Sequence, residues 1–239
     1  MEYKALLKDC CDQMGVALSE AQLEQFMTYL SLLLEWNEKM NLTAITEKRE
    51  VVLKHFADCL SLVPAVEWKS GMQVIDVGTG AGFPGVPVKI ACPEIELTLL
   101  DSLQKRIGFL QEVGKQLNLD GVNYVHSRAE DGGQNPDYRE KFDLCVSRAV
   151  ANLAVLSEYC LPFVRVGGRL AALKGPDAEA EVAQAKGALE KLGGILVEIR
   201  DVAIPHTDLS HKLVFIEKVS STPKKYPRNA GKIKKYPLK

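Results

Sequence analysis

The chain has little from which to build a metal site. Among its six cysteines, Cys10 and Cys11 are adjacent, Cys59, Cys92, Cys145 and Cys160 are scattered, and no pair has the C-x-x-C spacing of zinc or redox centres. Its four histidines show no ligand spacing either. No structural metal is expected, and the thiols read as buried side chains of a cytosolic protein. Long apolar runs are also missing. No uncharged stretch approaches the roughly 18 residues a membrane span needs, and the opening M-E-Y-K-A-L-L-K-D-C-C mixes acids and bases among its apolar residues. Neither export nor a membrane anchor is implied.

Acids vanish after Glu217. From Lys218 onward eight of the chain's 30 bases stand without one acid, which leaves 22 bases against 31 acids in the rest. An acidic body with a basic segment suggests a polyanionic partner met through that segment. Within it, K-K-Y-P at 224–227 recurs at 234–237. These proline-interrupted, lysine-rich copies are expected to lie extended on the surface. A length of 239 residues, 46% hydrophobic and 26% charged, allows one main domain with an appendage.

Residues 1–70 read as a helical cap. Ser19 and Gln22 form a capping box, and Leu23, Phe26, Met27, Leu30, Leu33 and Leu34 follow at helical spacing to about Lys39. A further amphipathic helix carries Val51, Val52, Phe56, Cys59, Leu60 and Val63 and ends near Pro64. Residues 71–219 alternate strands with helices. Strands are expected at 73–77, 96–100, 122–127, 142–147 and 168–173, with helices that include 103–118 and 177–192, which implies a parallel sheet. Segments 194–203 and 211–219 are joined too tightly for a crossover helix, so they should pair antiparallel at one edge. Residues 220–239 form the basic segment.

The most informative stretch is V-I-D-V-G-T-G-A-G-F-P-G, starting at Val74. It reads as a strand carrying one buried acid, Asp76, followed by a bare turn through Gly78, Gly80 and Gly82 and then a helix start at Pro84. Such a turn lets a nucleotide-like cofactor lie against the backbone. Two readings compete. Gly80-x-Gly82-x-x-Gly85, with Asp101 about twenty residues on, matches a dinucleotide fingerprint. The fuller acid-x-G-x-G-x-G pattern resembles the first motif of class I S-adenosylmethionine-dependent methyltransferases, where the acid helps hold the methionine end of the cofactor.

Other candidates fall at strand ends. Asp101 can hold ribose hydroxyls or cap the next helix. Ser127-Arg128-Ala129-Glu130-Asp131 can recognise an adenine amine or be a charged turn. Arg148 sits at the ligand-binding edge of a parallel sheet, facing a ligand or paired to an acid, and Lys174 on the same edge can meet a phosphate or stay solvated. His55 and Asp58 share a helix face, facing substrate or bonded to each other.

Taken in order, W-N at 36–37, N-L-T at 41–43, H-F-A-D at 55–58, the glycine turn, L-L-D-S at 99–102, S-R-A-E at 127–130, S-R-A at 147–149 and L-K-G at 173–175 resemble the RsmG family, also called glucose-inhibited division protein B. The likeness runs from about Leu33 to the basic segment. There, K-Y-P-R-N-A-G-K-I keeps Arg228 and Gly231 but has Ile233 where a second proline is expected.

The resemblance implies an α/β fold, the class I methyltransferase Rossmann-like sheet of seven mostly parallel strands with an antiparallel last strand. It implies a cytoplasmic bacterial enzyme that moves a methyl group from S-adenosyl-L-methionine to N7 of a guanine in 16S ribosomal RNA, at position 527 in the decoding-region loop, leaving S-adenosyl-L-homocysteine. The resemblance implies cofactor contacts at Gly78, Phe83, Ala129, Glu130 and Arg148, the last also placing substrate, and the glycine turn and strand end add Asp76, Gly80, Gly82, Asp101 and Ser102 to the expected cofactor-binding set. Lys174, Lys224, Lys225, Arg228, Lys232, Lys234 and Lys235 are the expected contacts to RNA, free or in the small ribosomal subunit. Guanine N7 bears an in-plane lone pair and no proton, so no general base is expected. The rivals are a nicotinamide-dependent oxidoreductase and an RNA-binding protein that has lost its cofactor.

Overall fold

The computed structural model describes residues 2–239. Helices α1 (Glu2–Met14) and α2 (Glu20–Met40) open the chain. The capping box forms as expected: the Ser19 hydroxyl accepts from the Gln22 amide at 3.3 Å, and the Gln22 side chain accepts from the Ser19 amide at 2.7 Å. Asn41 then closes α2 in the left-handed region, at φ 50°. The next helix differs from the single amphipathic helix expected. It starts as α3 (Lys48–Val51), widens to a π-helical turn over Val52–Ala57, and returns to α4 (Asp58–Leu60). Such turns are rare and often mark functional sites.

The remaining elements are β1 (Gln73–Val77), α5 (Gly85–Ala91), β2 (Glu96–Asp101), α6 (Gln104–Gln116), β3 (Val122–His126), α7 (Ala129–Gly132) and β4 (Phe142–Arg148). After them come α8 (Leu153–Cys160), β5 (Val164–Lys174), α9 (Ala178–Leu192), β6 (Gly194–Ala203), β7 (Ser210–Lys218) and α10 (Ala230–Lys235). One seven-stranded sheet has the order β3-β2-β1-β4-β5-β7-β6. The first five strands are parallel, and β7 lies antiparallel between β5 and β6. Interior strand β1 is buried on both faces from Val74 to Val77, Asp76 included, as a strand covered on both sides must be.

Each face of the sheet carries its own core. Leu23, Phe26, Leu33 and Phe56 from the amino-terminal helices join Val86 of α5 and Phe109 of α6 on one face. Leu156 of α8, Ala185 and Leu189 of α9, Tyr226 and Ile233 occupy the other.

The basic segment corrects the expectation of an extended surface strand. Asn229 caps α10, its side chain accepting from the Lys232 amide at 3.0 Å, and Tyr226, Ile233 and Leu238 are buried against the second core. Burying a large apolar side chain contributes about 1.5–3 kcal/mol, so three such anchors draw a lysine-rich stretch onto the body. Ile233, the departure from the family pattern, is wholly buried.

Candidate cofactor and nucleic-acid site

At the carboxyl ends of the parallel strands lies a cavity of about 830 Å³. This is the edge where open α/β sheets take ligands, and the volume suits a nucleoside-sized molecule. Its two walls come from opposite faces of the sheet. Thr43, His55 and Phe83 belong to the amino-terminal side, while Ala129, Val155, Tyr159, Ala230 and Lys234 belong to the other.

The glycine turn is the floor. Gly78, Gly80 and Gly82 all have positive φ. At Gly80, φ +62°, a Cβ would meet nothing within 4 Å, so the backbone lies bare toward the cavity. Gly82 faces inward instead, where a Cβ would stand 2.6 Å from the Tyr29 hydroxyl oxygen. That hydroxyl donates to the Ala81 carbonyl, pinning the turn from α2.

Asp76 does not reach the cavity surface. Wholly buried, it accepts through Oδ2 from the Thr79 hydroxyl at 2.7 Å and the Gly85 amide at 2.8 Å, tying both ends of the turn to β1. Its Oδ1 has no partner. Burial lifts its pKa to about 7, against the lowering hydrogen bonds from Thr79 and Gly85. Asp101, at the end of β2, ties the glycine turn to the approach to α6, whose N-cap position is Leu103. Oδ1 accepts from the Leu103 amide at 2.9 Å near the start of α6, and Oδ2 accepts from the Gly80 amide at 3.0 Å and from Arg106 at 3.3 Å. It lines the cavity with Ser102, Ala129, Glu130, Gly78, Gly80, Phe83 and Arg148.

Arg148 is the most heavily partnered cation of the cavity wall. Its guanidinium lies over the Phe83 ring, 5.0 Å from the centroid, and its side chain is 15% exposed. Nη1 donates to the Lys54 carbonyl at 3.0 Å and to Asp58 Oδ2 at 2.8 Å, and Nη2 lies 3.0 Å from His55 Nδ1. Taking Nδ1 as acceptor of the guanidinium puts the His55 proton on Nε2, 2.8 Å from the Thr43 hydroxyl, and leaves the Lys54 carbonyl, 3.1 Å from Nδ1, to Arg148 alone. Burial, aided by the Arg148 charge, drops the His55 pKa to about 4 and keeps the ring neutral at pH 7. His55 and Asp58 therefore share Arg148 and are not bonded to each other.

The expected RNA contacts divide. Lys224, Lys225, Lys232, Lys234 and Lys235 are exposed, and Lys234 lines the cavity mouth with Arg106 and Arg128. Arg228 is instead committed to buried Glu158 on α8, with Nε to Oε1 at 2.8 Å and Nη2 to Oε2 at 2.7 Å. Lys174 is equally engaged. It reaches the Ala151 carbonyl at 2.8 Å and Glu181 at 2.7 Å, holding the loop after β4 rather than facing the cavity.

Sequence reasoning missed Thr43, Val150, Tyr159 and Pro237 as cavity residues, and His211, which reaches Asp58 at 2.6 Å. Only His211 left a usable sign. An antiparallel strand brings its start, not its end, to the edge where parallel strands finish, and Lys174 of β5 pairs with Lys212 of β7.

The sheet order, with β7 antiparallel between β5 and β6 above a glycine-floored cavity, defines a class I S-adenosylmethionine-dependent methyltransferase fold. A SAM-dependent methyltransferase from Aquifex aeolicus superposes with a TM-score of 0.52 at 22% identity, over 71% of this chain and 93% of that one. The chain belongs to the GidB family, rRNA small subunit methyltransferase G, which matches residues 22–209. Relatives of the same description from Clostridium perfringens and Alkaliphilus metalliredigens are 53% and 51% identical, over the full length of both chains in each comparison. Among the described residues no helix is long and apolar enough to cross a membrane, and no cluster of three or more histidine, cysteine or acidic side chains is placed to hold a metal ion.

Proposed function

We propose that this protein methylates small-subunit ribosomal RNA from S-adenosylmethionine, at N7 of guanine 527 in 16S RNA. Family membership over residues 22–209 supports the substrate class and the reaction. The observation that carries the cofactor assignment is the bare turn at Gly80, whose open side would be filled by any side chain. Gly78 and Gly80 would pass beneath the cofactor, Asp101 and Ser102 would meet its ribose, and Ala129 and Glu130 its adenine. Asp76 and Gly82 would act indirectly, by holding the turn in shape.

When bound, the cofactor supplies a methyl group already activated on a sulfonium. The protein's residues are left with placement: aligning N7 with that carbon and keeping water out. Two polar side chains of the cavity fit this division. His55 has both ring nitrogens engaged, and both oxygens of Asp101 accept hydrogen bonds. A nucleophile that carries no proton needs no base.

Exposed Lys224, Lys225, Lys232, Lys234 and Lys235 would hold RNA phosphates, with Arg106 and Arg128 joining them at the cavity mouth. N7 in an A-form helix faces a deep, narrow groove that side chains reach poorly, so a guanine in a loop or distorted junction fits better than one in a duplex. The test is methyl transfer from labelled S-adenosylmethionine to small-subunit RNA, followed by cleavage at N7-methylated guanines. Label at one guanine that cleaves under those conditions supports the reading. Absence of transfer to free RNA and to assembled subunits overturns it, and label resistant to that cleavage overturns the N7 assignment.

A further inference from the structure

Three distant parts of the chain meet at one guanidinium. Asp58 of α4 is almost wholly buried, and its two oxygens serve different partners: Oδ2 accepts from Arg148 at 2.8 Å, and Oδ1 accepts from His211 Nδ1 at 2.6 Å. Burial alone would raise the Asp58 pKa, but the His211 hydrogen bond and the Arg148 charge outweigh it and hold the carboxyl below its ordinary range. His211 moves the other way. Its hydrogen bond to Asp58 raises its pKa, against burial and the repulsion of Arg148.

We propose that Asp58 and His211 are positioning residues for Arg148: the imidazole of β7 fixes the carboxylate, and the carboxylate aims the guanidinium across the Phe83 ring into the cavity. The inference rests on the methyltransferase reading for its kinetic arm only. Without the carboxylate, Arg148 keeps the Lys54 carbonyl and a neutral imidazole, two uncharged acceptors that restrain a cation weakly. Three of the five guanidinium N–H groups are spent on this cradle, which leaves two for a ligand. The cradle decides where those two point.

Two measurements test the assignment on the full chain. An NMR titration of the protein without cofactor reads His211 directly. Its pKa is expected above the ordinary 6.5, falling to that value or below in Asp58→Asn. Kinetics provide the second. His211→Ala is expected to lower kcat/KM about tenfold, the loss of one hydrogen bond to a charged group, with a thermal midpoint close to that of the parent. His211→Asn keeps a donor near the Nδ1 position and should restore the rate to within about threefold. In an Arg148→Lys background, His211→Ala should add less than about twofold, because residues acting through one partner are not additive. A wild-type rate in His211→Ala, an undiminished loss in the Arg148→Lys background, or a His211 pKa indifferent to Asp58→Asn would each overturn the proposal. Failure of the wild type to methylate RNA would instead strike the functional reading, and the titration would still decide this one.

Discussion

Replacing Arg228 with alanine should release the basic segment from the body of the protein. The substitution removes three charge-assisted hydrogen bonds, two to Glu158 at 2.8 and 2.7 Å and one to the Tyr236 carbonyl at 2.9 Å, and strands Glu158, which is 0% exposed. One bond survives, because the residue 228 backbone amide still donates to Glu158 at 2.9 Å. Stranding a buried charge costs about 3–5 kcal/mol, and the 22% exposure of the Arg228 side chain lets water replace part of the loss, which favours the lower figure. About 3 kcal/mol is roughly a hundredfold in the opening equilibrium. The segment can open locally while the sheet stays folded, so the right assay is amide exchange rather than a melting curve. The Ile233 and Tyr236 amides bond to the carbonyls of Asn229 and Lys232 in α10, and both should exchange about a hundredfold faster in the variant. Pairing Arg228→Met with Glu158→Gln should recover much of the protection, since neither partner is then a stranded charge. Unchanged exchange at Ile233 and Tyr236 in Arg228→Ala would refute the reasoning.

Gly80→Leu should leave the fold intact at a backbone cost of about 1–2 kcal/mol, yet abolish S-adenosylhomocysteine binding by calorimetry; normal affinity would contradict the open-floor assignment. Asp76 gives a pH dependence. The native protein holds the Asp76 proton up to about pH 7, while the unfolded chain releases it near 3.8, so raising the pH through that window weakens the fold. In urea titrations without cofactor, Asp76→Asn should gain on the wild type between pH 5 and pH 8 by on the order of 1–3 kcal/mol; a flat difference would show that Asp76 does not titrate there. Changing exposed Lys224, Lys225, Lys232 and Lys235 together to glutamine should flatten the salt dependence of RNA binding by up to about 3 in log–log slope; an unchanged slope would remove these side chains from the interface.

The sheet was readable because parallel strands buried on both faces are near-continuous apolar runs, and strand boundaries fell where Gly, Pro and Asp end them. β1 over Gln73–Val77 matches the expected 73–77, and β5 differs mainly by starting early, at Val164. Gly78 and Gly80 were legible for a local reason, since their spacing along one strand–turn–helix unit is a sequence property, and Asp101 because it ends the next strand at the same edge. What escaped depended on long-range contacts. The engagement of Arg228 with Glu158, 70 residues away, has no local trace, and that of His211 with Asp58, 153 residues away, is signalled only by the antiparallel placement of β7. The basic segment misled because its lysines outnumber its anchors. Tyr226, Ile233 and Leu238 hold it down, and their spacing forms no periodic face to read.

One wall of the cavity, at Ala230, Lys234 and Pro237, is supplied by residues that leave the ribosome after the whole sheet has been made. The glycine floor and the part of that wall at Ala129, Val155 and Tyr159 all precede them in the chain. A chain interrupted at Ser220 would keep every strand of the sheet and still lack that side of the pocket.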